Sequence, residues 1–225
     1  MAQPTAPQIR WGLTTRYGNT KVADRCIQVP VPSGPTALPA QNSFYSSVQL
    51  TGLTPGTTYH YAVSNDGTTW SADGHFTTAP KTAKRFRFTA FGDQGTVPGT
   101  LGAMARLAAA QKPAFHLHCG DLAYATPGEE KYPNDQGFDP GEWDTYVRGL
   151  SKYAAYKVPW QISVGAHEVE PLGHHGYDGF LTRFSQAYDH SAGTSVTHSF
   201  VYGNVGVIHL DGNEVSAQET LISGY

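Results

Sequence analysis

The sequence predicts two successive folds in one chain: an all-β sandwich over residues 1–80, then an α/β unit over residues 81–225. Three observations carry that reading. Before Ala79-Pro80-Lys81 the chain shows short alternating runs broken by turn residues and no helical period, as half-buried antiparallel strands do. After it, continuous apolar runs alternate with stretches of helical spacing, the order that builds a parallel sheet. Finally, three of those runs, Phe86 to Phe91, Ala114 to Cys119 and Trp160 to Val164, each lead directly into a glycine, with an ionisable side chain one or two residues on.

In the first region, Ser43 to Leu50 alternates, and Thr58 to Val63 follows it. Asn65-Asp66-Gly67 is a hairpin turn signal, and Gly74 to Thr78 closes the region. Leu50-Thr51-Gly52-Leu53-Thr54-Pro55-Gly56, followed by Tyr59, resembles the tyrosine corner of fibronectin type III modules. No strand with a core tryptophan precedes Arg10-Trp11-Gly12, so the first strands of a full sandwich are expected to be lacking.

In the second region, Arg85 to Phe91 reads as a strand. Leu101, Met104, Ala105, Leu107 and Ala108 set a helix over Thr100 to Gln111 that stops before Lys112-Pro113. Ala114 to Cys119 is the next strand, one crossover unit after the first. Pro140 to Lys152 is a second amphipathic helix, with Trp143, Tyr146, Val147 and Leu150 on one face. A third strand covers Trp160 to Val164, and a short helix is expected over Phe180 to Tyr188. Ser199 to Tyr202 and Val205 to Leu210, joined by Gly203-Asn204, make a hairpin.

The chain has 225 residues, of which 39% are hydrophobic and 15% charged, enough for real cores in both parts. The net charge of −3 and the lack of a Lys/Arg cluster argue against a nucleic-acid partner. No apolar run approaches the ~18 residues of a membrane span. Met1-Ala2-Gln3-Pro4 has neither the charged nor the apolar stretch of a signal peptide. Cys26 and Cys119 read as two free thiols, with Cys119 ending a core strand.

The chemistry lies in three strings: Gly92-Asp93-Gln94-Gly95, Gly120-Asp121-Leu122-Ala123-Tyr124 and Gly165-Ala166-His167-Glu168. Open α/β sheets gather ligands at the carboxyl ends of their strands. Asp93 and Asp121 put carboxylates, suited to hard cations, at neighbouring strand ends. Tyr124, three residues beyond Asp121, can turn onto the same ion. Its phenol, with a pKa near 10 in water, needs a strongly Lewis-acidic ion such as Fe³⁺ to be held as phenolate. His167 can donate a proton to a leaving group. Glu168 and Glu170 read as solvated or as supporting residues behind the ligands, His116 and His118 as core or supporting residues, and His174 and His175 as surface.

Taken together, the three strings resemble the metallophosphoesterase superfamily. Tyr124 and the preceding sandwich narrow the resemblance to the purple acid phosphatases. Their pattern is GDxG, GDxxY and GNH followed by Asp or Glu, then VxxH and GHxH segments. The resemblance implies an α/β domain in the form of a β-sandwich flanked by helices over residues 81–225. It also implies a dinuclear centre, Fe³⁺ beside Fe²⁺, Zn²⁺ or Mn²⁺. Asp93 and Tyr124 would bind the ferric ion, Asp121 would bridge both ions, and His167 would protonate the departing alkoxide or orient the phosphate. The implied activity is acid phosphatase, hydrolysing small phosphomonoesters by metal-activated hydroxide, in a secreted or extracytoplasmic setting.

The chain departs from that pattern in two places. Ala166 stands at the asparagine position of the third motif, and a methyl group donates no lone pair. Beyond the third motif, up to Tyr225, there is also no VxxH or GHxH segment, so the domain is expected to be incomplete. The alternative reading is a metal-poor, catalytically inactive protein with a binding or scaffold role.

Overall fold

The computed structural model describes residues 3–31, 41–97, 99–125, 139–169, 177–184 and 196–213. The first region folds into β1 (Gln8–Gly12), β2 (Asn19–Val22), β3 (Arg25–Val31), β4 (Gln41–Ser47), β5 (Thr58–Ser64) and β6 (Gly74–Thr77). Four of these form an antiparallel sheet in the order β2-β1-β5-β6, and β3 pairs with β4 as a separate hairpin. The tyrosine corner is formed: the Thr54 N–H donates to the Tyr59 hydroxyl at 3.0 Å. Between β5 and β6, Asp66 receives the Thr68 and Thr69 N–H groups at 2.8 and 2.6 Å, an Asx-type turn within a longer connection over residues 65–73. The sandwich interior is thin. Tyr59 and Ala62 are its buried apolar side chains among the described residues, and a cavity of about 520 Å³ opens between Ile9 and Val63 on one sheet and Phe44 on the other, closed by Val147 of the second region.

The second region contains β7 (Thr89–Phe91), α1 (Thr100–Ala110), β8 (His116–His118), α2 (Gly141–Leu150), β9 (Trp160–Ile162), α3 (Asp178–Arg183), β10 (His198–Tyr202) and β11 (Val205–His209). One turn of π-helix, Ser151–Ala155, extends α2. β7, β8 and β9 form a parallel sheet in that order, with Thr89, His116 and Trp160 in register. These strands are shorter than the apolar runs that predict them. Phe86 and Phe88 leave the regular ladder for an aromatic cluster, where Phe88 stacks on Phe115 at 5.7 Å and Phe86 meets Tyr202 at 4.7 Å.

The core lies on one face of this sheet. Leu101 and Ala105 of α1, Trp143, Tyr146 and Leu150 of α2, Ile162 and Val164 of the β9 exit, and Phe180 of α3 are buried together. The stripe expected on α2 is therefore present. On α1 the inward face is Leu101, Ala105 and Ala108, whereas Leu107 is 61% exposed, because a residue two positions from Ala105 falls on the far side of a helix. On the opposite face of the sheet Ala90 and Cys119 are exposed. Among the described residues this part is thus one parallel sheet with helices on a single face and a β10–β11 hairpin, rather than a flanked two-sheet sandwich. Cys26 and Cys119 are both free and exposed, so Cys119 is not a core residue.

Two contacts place β11 beside β9. Ser163 Oγ meets His209 Nδ1 at 2.6 Å, and Asn213 Nδ2 donates to the Gly165 carbonyl at 3.1 Å. Both numbers of each pair rise together, so the two segments run in the same direction.

A buried polar joint ties the N-terminal sheets to the helices. Ser43 and Tyr45 of β4 each donate a hydroxyl hydrogen to the Asp144 carboxylate on α2. Arg183 of α3 pairs with the same carboxylate at 3.5 Å, with both side chains almost wholly buried, and its guanidinium lies 5.0 Å from the Tyr45 ring centre. Removing one partner of a buried pair strands the other charge away from water. Asp144→Ala is expected to cost about 3–5 kcal/mol of unfolding free energy by urea denaturation, and Asp144→Asn, which keeps an acceptor for one hydroxyl and can donate to the oxygen of the other, less. Equal and negligible losses would contradict the joint.

Candidate metal centre

Each site string starts where a strand leaves the sheet. Asp93, Asp121 and Tyr124 have φ of 53°, 55° and 53°, a left-handed backbone that costs a non-glycine residue roughly 1–3 kcal/mol. The surrounding chain enforces it. The Asp93 N–H donates to Gly120 O at 3.2 Å and the Gln94 N–H to Asp121 O at 3.1 Å, joining the β7 and β8 exits. Glycine is required where the β8 and β9 exits touch. At Gly120, with φ +89°, a Cβ would lie 2.6 Å from the Gly165 nitrogen, and at Gly165 one would lie 2.2 Å from Asp121 Oδ1.

The structure brings three of the expected residues together. The Tyr124 hydroxyl donates to Asp93 Oδ1 at 3.2 Å and lies 3.5 Å from Asp121 Oδ2. Desolvation, and then the Asp121 and Asp93 charges, push the Tyr124 phenol up to about 12. Its proton thus sits among three oxygens, where a cation would replace it. His167 packs its ring 4.2 Å from the Tyr124 ring, and its backbone N–H donates to Asp121 Oδ1 at 3.1 Å. Ala166 is exposed and brings no heteroatom. Among the described residues no group of three or more His, Cys, Asp or Glu side chains is placed to hold a metal; the converging set is two carboxylates and a phenol. Glu170, His174, His175 and His190 lie outside the described residues.

Glu168 is not solvated. It is fully buried, and its carboxylate receives the N–H groups of Asp121 at 2.8 Å, Leu122 at 2.8 Å and Gly165 at 2.6 Å. One side chain therefore clamps the exits of β8 and β9 together. Burial pushes its carboxyl up to about 7, against the pull of these donors. Sequence reasoning missed the fourth strand end. Asp211-Gly212-Asn213 follows β11 as the other strings follow β7 to β9. The same pattern, an apolar run leading into Asp and Gly, would have flagged it. Asp211 is buried and accepts hydrogen bonds from the Tyr177 hydroxyl at 2.5 Å and from the Asn213 side chain at 3.0 Å.

Behind the site, His116, His118, His198 and His209 are buried; both ring nitrogens of His118 and His198, and Nε2 of His116 and His209, have no hydrogen-bond partner among the described residues, whereas Nδ1 of His116 meets Thr89 and Nδ1 of His209 meets Ser163. Desolvation lowers them to about 4, 3, 4 and 4.

Two outcomes follow from these environments. Glu168→Ala leaves three backbone donors without an acceptor and is expected to lower stability by about 2–4 kcal/mol; a loss within about 0.5 kcal/mol, the range of an ordinary surface change, would show that the clamp carries nothing. The four histidines bind protons in the unfolded chain below about pH 6.5 but not in the folded one until about pH 3–4. Their stabilising contribution is complete above about 6.5 and is lost as pH falls toward 4. Glu168, with its pKa raised, acts in the opposite sense, losing its contribution as pH rises through about 7. Four groups outweigh one, so the calorimetric melting temperature should fall steadily between pH 6.5 and 4, and a flat profile there would contradict this.

Comparison with known proteins bears on the N-terminal region and on the chain as a whole. The purple acid phosphatase N-terminal domain matches residues 1–78. An uncharacterized protein of Mycobacterium tuberculosis, found in two strains, is 29% identical over 96% of this chain and 45% of its own length. An acid phosphatase of Aspergillus ficuum is 26% identical over 87% of this chain and 40% of its own length. The chain therefore spans less than half the length of the curated relatives it matches. The chain thus carries a purple acid phosphatase N-terminal domain over residues 1–78 and is similar along most of its length to an acid phosphatase.

Proposed function

We propose that residues 81–225 carry part of the metal centre of an acid phosphatase of the metallophosphoesterase type, acting on phosphate monoesters. The observation that carries this reading is the approach of Asp93 Oδ1, Asp121 Oδ2 and the Tyr124 hydroxyl to one point. The donor set fits a hard, strongly Lewis-acidic ion: three oxygens, two of them formal anions, with no cationic side chain paired to either aspartate among the described residues. Asp93 and Tyr124 would hold Fe³⁺, and Asp121 would share it with a divalent ion, Fe²⁺, Zn²⁺ or Mn²⁺. Such a pair of ions supplies Lewis acidity and charge neutralisation for in-line displacement at phosphorus.

The chain's own groups do the rest. Gly120 and Gly165 allow the β8 and β9 exits to approach within contact, and the Asp93 and Gln94 N–H groups join the β7 and β8 exits, which sets Asp121 beside Asp93. His167, held over the Tyr124 ring, donates a proton to the departing alkoxide oxygen.

A second reading has its own support. Ala166 offers no ligand, and two carboxylates with one phenol make a sparse set, which suits a metal-poor protein with a scaffold role. Titration with Fe³⁺ and Zn²⁺ separates the two readings. The phosphatase reading expects a visible phenolate-to-iron absorption band that disappears in Tyr124→Phe, and turnover of p-nitrophenyl phosphate at pH 5 that disappears in Asp121→Asn. A colourless protein that retains no iron supports the scaffold reading instead.

A further inference from the structure

Four strand ends, not three, meet at the mouth of the site, and the fourth brings a carboxamide. Asn213 follows β11, which runs beside β9. Its Nδ2 donates both hydrogens, one to Gly165 O at 3.1 Å and one to Asp211 Oδ1 at 3.0 Å. The two acceptors fix which way the amide points, because exchanging its ends would set Oδ1 against two oxygens. Asp211 is itself anchored, buried and hydrogen-bonded by Tyr177 and by the Asn213 N–H at 2.9 Å. Asn213 Oδ1 is consequently turned away from both anchors on an exposed residue. It has no hydrogen-bond partner among the described residues.

The position of that oxygen matters because of what lies across the Gly165 peptide. One side of Gly165 faces Asp121, so closely that a Cβ would fall 2.2 Å from Oδ1. Its carbonyl holds Asn213. A single residue thus separates the carboxamide from the carboxylate. At the same strand end Ala166 has only a methyl group to offer. We propose that Asn213 Oδ1 is a neutral oxygen ligand for the cation that shares Asp121, supplying from β11 the donor that the β9 exit lacks. The inference rests on the metal-centre reading above. A carboxamide oxygen is a hard donor suited to Mn²⁺ and similar ions, and one held by two hydrogen bonds loses little further freedom on binding.

The test is calorimetric titration of the full chain with Mn²⁺ alone, with melting temperatures recorded for every variant. Asn213→Ala should bind Mn²⁺ about tenfold more weakly without a matching fall in melting temperature. Adding Ala166→Asn to that variant should restore the affinity by returning a carboxamide to the same strand end. If Asn213→Ala binds as the unchanged chain does while Asp121→Asn loses binding, Asn213 is no ligand and the metal centre stands. A loss that Ala166→Asn does not restore, or one that tracks the melting temperature, makes Asn213 a loop support and overturns the proposal. Failure of the unchanged chain to bind Mn²⁺, or binding indifferent to Asp121→Asn, overturns this inference and the metal-centre reading together.

Discussion

One buried carboxylate organises the mouth of this sheet. Glu168 gathers N–H groups from Asp121, Leu122 and Gly165, so two loops that are distant in sequence share one acceptor. Buried backbone donors without partners are costly, and the chain after each strand has left the ladder that would otherwise satisfy them. The clamp solves that problem locally. It also dictates that the β8 and β9 exits lie in contact, which only glycine at 120 and 165 permits. The left-handed turns at Asp93 and Asp121 lie where the β7 and β8 exits are joined through the Asp93 and Gln94 N–H groups.

The N-terminal sheets bear on the site through a short physical path. Ser43 and Tyr45 grip Asp144 on α2. Two residues on, the buried Tyr146 hydroxyl donates to Gln94 Oε1 at 3.3 Å, and Gln94 neighbours Asp93. The Gln94 side chain also donates to Leu101 O at the start of α1, at 3.3 Å. The sandwich therefore braces the helix that backs the β7 exit. Its own interior is too thin to be the main source of cohesion, and the buried joint to α2 and α3 compensates for that.

Much of the architecture was legible in the sequence because it rests on local periodicity. Trp143, Tyr146 and Leu150 fall on one helical face whatever the rest of the chain does, and the Pro-Gly turn before Tyr59 fixes its corner from nearby residues. Strand lengths were less legible. Phe86 and Phe88 are as apolar as any ladder residue, and only tertiary packing against Phe115 and Tyr202 draws them out of it. The same distinction holds at the site. Asp93, Asp121 and Tyr124 stand out because each follows a buried strand at a glycine. The burial of Glu168 depends on two loops meeting in space, which residue type alone does not reveal, so it read as solvated or supporting. Asp211 carries the local signal of an apolar run ending in Asp and Gly, but the place of Asp211 and Asn213 beside the β9 exit is a long-range feature. The exposure of Cys119 has the same origin, since covering that face depends on what packs there rather than on its own strand.

The account depends most on three oxygens, Asp93 Oδ1, Asp121 Oδ2 and the Tyr124 phenol, acting as one binding point. A crystal structure of the chain grown with excess Fe³⁺ and recorded at the iron absorption edge tests that directly. The account predicts an anomalous peak within coordination distance of all three. An iron peak elsewhere, or none at that point in a well-ordered crystal, would contradict it.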